Sequence, residues 1–245
     1  MILTVLGIAA VFGGITQSCL GFGFALVLTP LALLFLPPTA VVPMVVLMSL
    51  VNSGLAAVHA RKSLQIPLLL PLVAAGMAGF SSGVAVLVLL DPTLLRLAIG
   101  LFVSLFAVTQ MSGWRRPFRE SYAVLGAVGL VSGFAGGATS IAGPPLALFL
   151  SNQKTPARIF RANLLAFYFA MNAWGLLNHL YAGLLTPEVL IRAAVCIPGT
   201  ILGTVLGILL APRMTEQVFQ RVVLLFALVT GALLVLTALQ RLFTA

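Results

Sequence analysis

Apolar residues run along this chain in blocks, with polar residues gathered at block ends and at two interior points. Residues 2–36 form one long apolar stretch, followed by shorter runs at 41–58, 66–90 and 94–113. The order then recurs, with a long stretch at 121–150 and runs at 162–181, 189–210 and 218–239. A run of about 20 apolar residues is long enough to cross a bilayer as a helix. Lipid cannot satisfy backbone groups, so a spanning chain must be helical or a closed barrel. These runs lack the alternation of a barrel strand. The pattern therefore predicts an all-α polytopic membrane protein.

The two long stretches exceed one perpendicular span at 1.5 Å per residue. Each is interrupted by small and polar residues. The first holds Thr16, Gln17, Ser18, Gly21 and Gly23; the second holds Thr139, Ser140, Gly143, Pro144 and Pro145. Each is expected to be a broken helical hairpin, bent near Gln17–Gly23 and near Ser140–Pro144. Gly7, Gly14, Ser18 and Gly21 recur as Gly129, Gly136, Ser140 and Gly143, all at an offset of 122. Asn52 answers Asn172, and Gly79 and Gly83 answer Gly203 and Gly207. The chain thus reads as two repeats, 1–113 and 121–245, joined by a basic linker at 114–120. Each repeat is a hairpin followed by three transmembrane helices.

Charge orients this plan. The chain carries 13 Lys and Arg against 4 Asp and Glu, a net charge of +9. Ten of the thirteen lie at Arg61/Lys62, Arg115/Arg116/Arg119, Lys154/Arg158/Arg161 and Arg213/Arg221. Cytoplasmic loops are enriched in Lys and Arg. Placing all four clusters there makes the second repeat inverted relative to the first. Both termini are then non-cytoplasmic, and the N-terminal stretch reads as a membrane element and not a removed signal. With 61% hydrophobic and 7% charged residues, and a mean hydropathy of +1.20, the chain could not cover a water-facing surface.

Inverted repeats with interrupted helices suit a transporter, because broken points meet near the midplane and half-helix N-termini present free N–H groups to an anion. The candidate substrate-binding residues are Thr16, Gln17, Ser18, Gly21, Gly23, Thr139, Ser140, Gly143 and Pro145, with Asn52 and Asn172 reaching in from the following spans. Asn163 and Trp174 could also reach the cavity. Gly76, Gly79, Gly83, Gly199, Gly203 and Gly207 are expected to pack helices closely. Arg158 and Arg161 are read either as topogenic charge or as a vestibule that gathers anions. Asp91, Glu120, Glu188 and Glu216 sit at segment ends, so no carboxylate relay crosses the membrane. His59 and His179 read as interface residues.

Paired carboxylates, clustered histidines and cysteines, a phosphate loop and a serine–histidine arrangement are all missing from the sequence. No enzyme, catalytic residue, cofactor or metal site is therefore expected. Cys19 and Cys196 read as buried small hydrophobes. The expected partners are a small anionic substrate and membrane lipid, not nucleic acid. A coupling ion and a homodimer both remain open.

The glycine-broken hairpin of Gly13–Pro30, its echo at Gly133–Pro145 and the Arg161-Ala162 pair resemble the sulfite exporter TauE/SafE family over almost the whole chain. The resemblance implies a permease of the cell (inner) membrane for sulfite, an organosulfonate or another sulfur-containing anion. Gly21, Gly23, Gly143 and Pro145 match the family's broken-hairpin motif, and Arg161 and Ala162 match the start of the helix that follows. Members often carry a denser glycine cluster at each bend. Here Phe22 and Phe24 interrupt the first and Pro144-Pro145 replaces the second, which points to a bulkier or more apolar anion. The reading is a secondary transporter working by alternating access. Its rivals are an anion channel of the same fold and a non-transporting membrane scaffold or assembly protein.

Overall fold

The computed structural model describes residues 2–113, 121–153, 156–211 and 216–244. The linker at 114–120, Lys154 and Arg213 lie outside the described residues. Ten α-helices and no strand are found among the described residues: α1 (Ile2–Leu20), α2 (Phe24–Leu33), α3 (Pro38–Ala60), α4 (Ile66–Leu89), α5 (Pro92–Met111), α6 (Tyr122–Thr139), α7 (Gly143–Asn152), α8 (Ala157–Tyr181), α9 (Pro187–Leu210) and α10 (Glu216–Thr244). Seven helical stretches, in α1, α3, α4, α5, α6, α9 and α10, are long and apolar enough to cross a membrane. Both long stretches are broken, at 21–23 and at 140–142. The returning helices α2 and α7 have 10 residues each, about 15 Å of helix and half a bilayer core.

Helix α8 is not among the seven although it has 25 residues. Asn163, Asn172, Asn178 and His179 lower its hydropathy. It tolerates them because one side of it is buried in protein, with Asn163, Asn172 and His179 all buried. It also begins earlier than the expected 162–181 run, so Arg158 and Arg161 belong to its first turns.

Small residues set how the helices pair. A methyl on Gly14 would lie 2.8 Å from the Thr204 backbone nitrogen, and one on Gly199 would lie 2.8 Å from the Gly7 carbonyl oxygen. Backbone therefore meets backbone between α1 and α9, a contact only small residues permit. Gly7 faces Gly199, Val11 faces Gly203 and Ile15 faces Gly207, so α1 and α9 run parallel. The same geometry joins α6 to α4, where Gly129, Gly133 and Gly137 meet Leu72, Gly76 and Phe80. Each hairpin's first helix thus packs on the other half of the chain. In contrast α5 and α10 are antiparallel, with Gly100 against Val235 and Ser104 against Gly231. So are α3 and α8, with Ser49 bonded to Asn172 and Gly54 against Phe169.

These contacts correct the register read from the sequence. Gly21 and Ser140, 119 residues apart, both stand just after the first hairpin helix with positive φ, 84° and 63°. Val11 and Leu130 make equivalent contacts with Gly203 and Gly79, again 119 apart. At that offset Ser18 pairs with Gly137 and not with Ser140. The glycine matches at 122 came from small residues that recur about every helical turn in α6, so a shift of three residues finds almost as many of them.

Helix ends are closed by local chemistry. Asp91 accepts from the Thr93 and Leu94 amides at 2.7 and 3.2 Å, capping α5. The bonds from Leu94 and Thr93 hold its carboxyl below the usual carboxylate range. The cap therefore stabilises the fold above the ordinary carboxylate pKa and is lost as pH falls through the lowered one. Arg96, one turn further along, is buried and donates to the Leu36 carbonyl at 3.0 Å, tying α5 to the end of the first hairpin.

Two substitutions on α6 separate packing from propensity. A methyl at Gly133 drives into the Gly76 backbone, whereas one at Gly126 meets nothing within 4 Å. Gly133→Ala is expected to lower stability by about 1–3 kcal/mol through overpacking. Gly126→Ala should hold or raise it, because alanine favours helix. Thermal unfolding of the two purified variants checks this; equal melting temperatures would contradict the backbone contact.

Candidate functional site

The two breaks meet inside the bundle. Thr29 Oγ1, on α2, lies 2.7 Å from Ser140 Oγ in the second break. Around this contact is a central cavity of about 20 Å³, lined by Gln17, Gly23, Ala25 and Leu26 from the first hairpin and by Ser140, Ile141, Ala142 and Gly143 from the second. Ser49 of α3 and Tyr168, Met171 and Asn172 of α8 complete its wall. The cavity has room for roughly one water.

Its local chemistry follows from the breaks. Gly23, with φ 118°, is the N-cap of α2, and Ala142 is that of α7; neither N-terminus has a side-chain cap. The first N–H groups of a helix have no intrahelical acceptor. In α7, Pro144 and Pro145 lack N–H groups, which leaves the Gly143 amide as the first-turn donor beside the cavity.

Side chains add further donors. Gln17 is 2% exposed and Tyr168 is 7% exposed. Gln17 Nε2 and Tyr168 Oη are buried atoms with no hydrogen-bond partner in the protein. A buried polar group without a partner costs about 1–3 kcal/mol, so these two groups offer hydrogen bonds to whatever enters the cavity. Asn172 Nδ2 is already engaged, donating to Ser49 Oγ at 3.0 Å. Among the described residues no charged side chain lines the cavity.

A second, larger cleft of about 400 Å³ lies beside the first break, lined by Ser18, His59, Lys62, Ser63, Arg158 and Arg161 together with apolar residues of α3, α8 and α9. Arg158 and Lys62 are exposed there. The stem of Arg161 rests on the bend itself. A methyl on Gly21, at φ 84°, would fall 2.7 Å from Arg161 Cγ. Gln17 and Ser18 are neighbours in sequence, yet one lines the cavity and the other the cleft. The end of α1 is therefore the wall between them.

Of the residues expected at the site, Gln17, Gly23, Ser140, Gly143 and Asn172 line the cavity, while Arg158 and Arg161 line the cleft. The others fall elsewhere. Thr16 donates to the Phe12 carbonyl at 2.7 Å and faces a lateral apolar cleft between α1, α2 and α10. Ser18 and Gly21 face the basic cleft and Arg161 respectively. Thr139 donates to Ala135 O at 2.6 Å and accepts from the Ile141 amide at 3.1 Å, which closes the end of α6. Pro145 does not line the cavity. Asn52 donates to Thr204 Oγ1 at 2.7 Å, joining α3 to α9.

Asn163 accepts from the Gln65 amide at 3.0 Å, and Trp174 donates to Met77 O and Ser81 Oγ at 3.1 and 3.0 Å, so both brace α4 against α8. Phe22 packs edge-on to Phe106 and Phe160, and Phe24 packs against Gly13. Neither ring lines the cavity, which removes the reason for expecting a bulkier anion. His59 lies in the cleft wall, whereas His179 is fully buried beside Phe80 instead of at an interface. Cys19 and Cys196 are buried thiols, and Cys19 donates to the Gly207 carbonyl at 3.4 Å.

Sequence reasoning missed Tyr168, Ser49 and the Lys62 and His59 contribution to the cleft. Tyr168 stands four residues before Asn172, one turn along the same face. That spacing was the available signal.

The family model described as sulfite exporter TauE/SafE matches residues 6–234 of the chain. No curated protein and no solved structure matches it. The matched span takes in both hairpins, the central cavity and the basic cleft, and the chain belongs to the sulfite exporter TauE/SafE family.

Proposed function

We propose that this chain is a secondary carrier that binds a small sulfur-containing oxyanion, such as sulfite or an organosulfonate, in the central cavity and moves it by alternating access. One observation carries the reading. Gln17 Nε2 and Tyr168 Oη are buried without partners at a cavity that also faces two uncapped helix N-termini. All of these are donors placed where an anion would accept, and none is a carboxylate that would repel it. Ser140 and Asn172 complete the site. The basic cleft is its vestibule: Lys62, Arg158 and Arg161 raise the local concentration of anions beside the first break.

Inverted repeats are part of this reading. The parallel α1–α9 and α6–α4 pairs, and the antiparallel α3–α8 and α5–α10 pairs, are what two halves of opposite orientation produce. The cleft brings Lys62, Arg158 and Arg161 to one face, and positive-inside asymmetry makes that face cytoplasmic. Ile2 and the end of α10 lie at the opposite face, so both termini are non-cytoplasmic in the cell membrane. A central cavity of only about 20 Å³ beside a cleft of about 400 Å³ supports a carrier over a channel, since a pore would be wider at this level. A scaffold has no use for unpartnered donors around a central cavity.

Reconstituted protein tests the carrier directly. Sulfite preloaded on the trans side should accelerate uptake of labelled sulfite; a rate indifferent to trans substrate would indicate a channel. Tyr168→Phe removes a hydroxyl that has no partner in the protein, so it should hold or raise the melting temperature of the apo protein while weakening anion binding. Loss of one hydrogen bond to a charged ligand costs about 1.5–3 kcal/mol, or about tenfold to hundredfold in affinity. Unchanged affinity would remove Tyr168 from the site. Arg158→Gln with Arg161→Gln should raise KM for substrate offered on the cleft side and leave the maximal rate nearly unchanged. That effect should shrink as salt screens the cleft. A rise in KM that salt does not alter would contradict an electrostatic vestibule.

A further inference from the structure

We propose that the central cavity admits only singly charged anions, so that sulfite crosses as hydrogensulfite and a sulfonate crosses only if it carries one charge. This inference rests on the carrier reading of the cavity. Its ground is the contrast between the two compartments. Among the described residues the cavity wall has donors but no cation: Gln17, Tyr168, Asn172 and the amides of the two returning helices, with the Ser140 hydroxyl already donated to the Thr139 carbonyl. The cleft has Lys62, Arg158, Arg161 and the imidazole of His59, and no carboxylate among its described lining residues. The Arg161 stem rests on the bend at Gly21, and neither residue lines the cavity.

Two physical terms then decide the charge. The cost of taking an ion out of water rises with the square of its charge, so a dianion costs about fourfold what a monoanion of the same size costs. Against that cost stand the two helix N-termini, each equivalent to roughly half a positive charge. Together they supply about one unit. One negative charge is thereby neutralised without a fixed cation, and a second is left uncompensated in low dielectric. The two unpartnered side-chain donors, Gln17 Nε2 and Tyr168 Oη, direct hydrogen bonds at the anion but add no net charge. In the cleft the balance reverses. Three permanent cations in a water-filled space favour the more highly charged ion. The cleft therefore collects anions of either charge, and the cavity passes only the monoanion.

Methanesulfonate and sulfate test this, because both are tetrahedral at sulfur and similar in size but differ by one charge. Thermal unfolding of the purified full-length protein would be measured with each at matched ionic strength. The panel comprises the unmodified protein, Tyr168→Phe, Gln17→Leu and the double variant Arg158→Gln with Arg161→Gln. Methanesulfonate should raise the melting temperature, and Tyr168→Phe or Gln17→Leu should abolish the rise. The cleft variant should retain it. Any rise with sulfate should persist in Tyr168→Phe and Gln17→Leu and disappear in the cleft variant; no rise with sulfate supports the inference equally. A sulfate response that depends on Tyr168 or Gln17 would overturn the charge selection and leave the anion site standing. A methanesulfonate response that neither substitution alters would overturn the cavity reading and the inference with it. Either cavity variant alone suffices if the other fails to fold.

Discussion

Hydrocarbon gives an unpaired backbone group nothing to bond to, and the rest of this structure follows from that constraint. Helix satisfies it along ten segments. At 21–23 and 140–142 the helical ladder stops, and the first amides of α2 and α7 are left uncapped. Such breaks are tolerated at membrane depth only where protein encloses them or a cavity receives them. The bundle supplies both conditions. Helices α3 and α8 flank the breaks, and the freed donors converge on one small cavity. The same irregularity that would destabilise a lipid-facing helix is thereby enclosed, and it is where the proposed carrier would hold its anion.

Glycine does two separate jobs in achieving this. At Gly21 and Gly23 it permits left-handed backbone at the first turn-back, and at Gly21 it also leaves room for the stem of Arg161. Along α1, α4, α6 and α9 it brings backbones into contact, so each hairpin is clamped to the opposite half of the chain. The second break uses Ser140 where the first uses Gly21. That exchange costs some backbone freedom, but it places a hydroxyl within 2.7 Å of Thr29 and so ties the second bend to α2. The halves are alike in path and different in chemistry. At an offset of 119 Gln17 pairs with Gly136, so only the first hairpin contributes a side-chain amide at that level.

Much of this was legible in the chain itself. The all-helical class and the existence of the two breaks follow from apolar run length and the clustering of small and polar residues, whereas α8 begins before the run that predicted it. Register was less legible, because glycine recurring about every turn in α6 gives competing alignments and only the backbone contacts choose between them. Within the site, residue type located the level of the cavity but not the face. Thr16, Gln17 and Ser18 are consecutive polar residues, and helical geometry sends them to a lateral cleft, the cavity and the basic cleft respectively. Asn52 looked like a site residue because an amide in an apolar run demands a partner; its partner is Thr204. Tyr168 was passed over because tyrosine is ordinary at membrane interfaces, and its depth is set by where α8 begins.

The account stands on an anion bound between the bends. The most direct measurement is an experimental structure of the protein with sulfite bound, together with its heavier analogue selenite for unambiguous location. The account predicts the oxyanion within hydrogen-bond distance of Gln17 Nε2 and Tyr168 Oη, facing the Gly143 amide, in a cavity expanded beyond its closed volume. An anion found only against Arg158 and Arg161, with Gln17 and Tyr168 untouched, would contradict it.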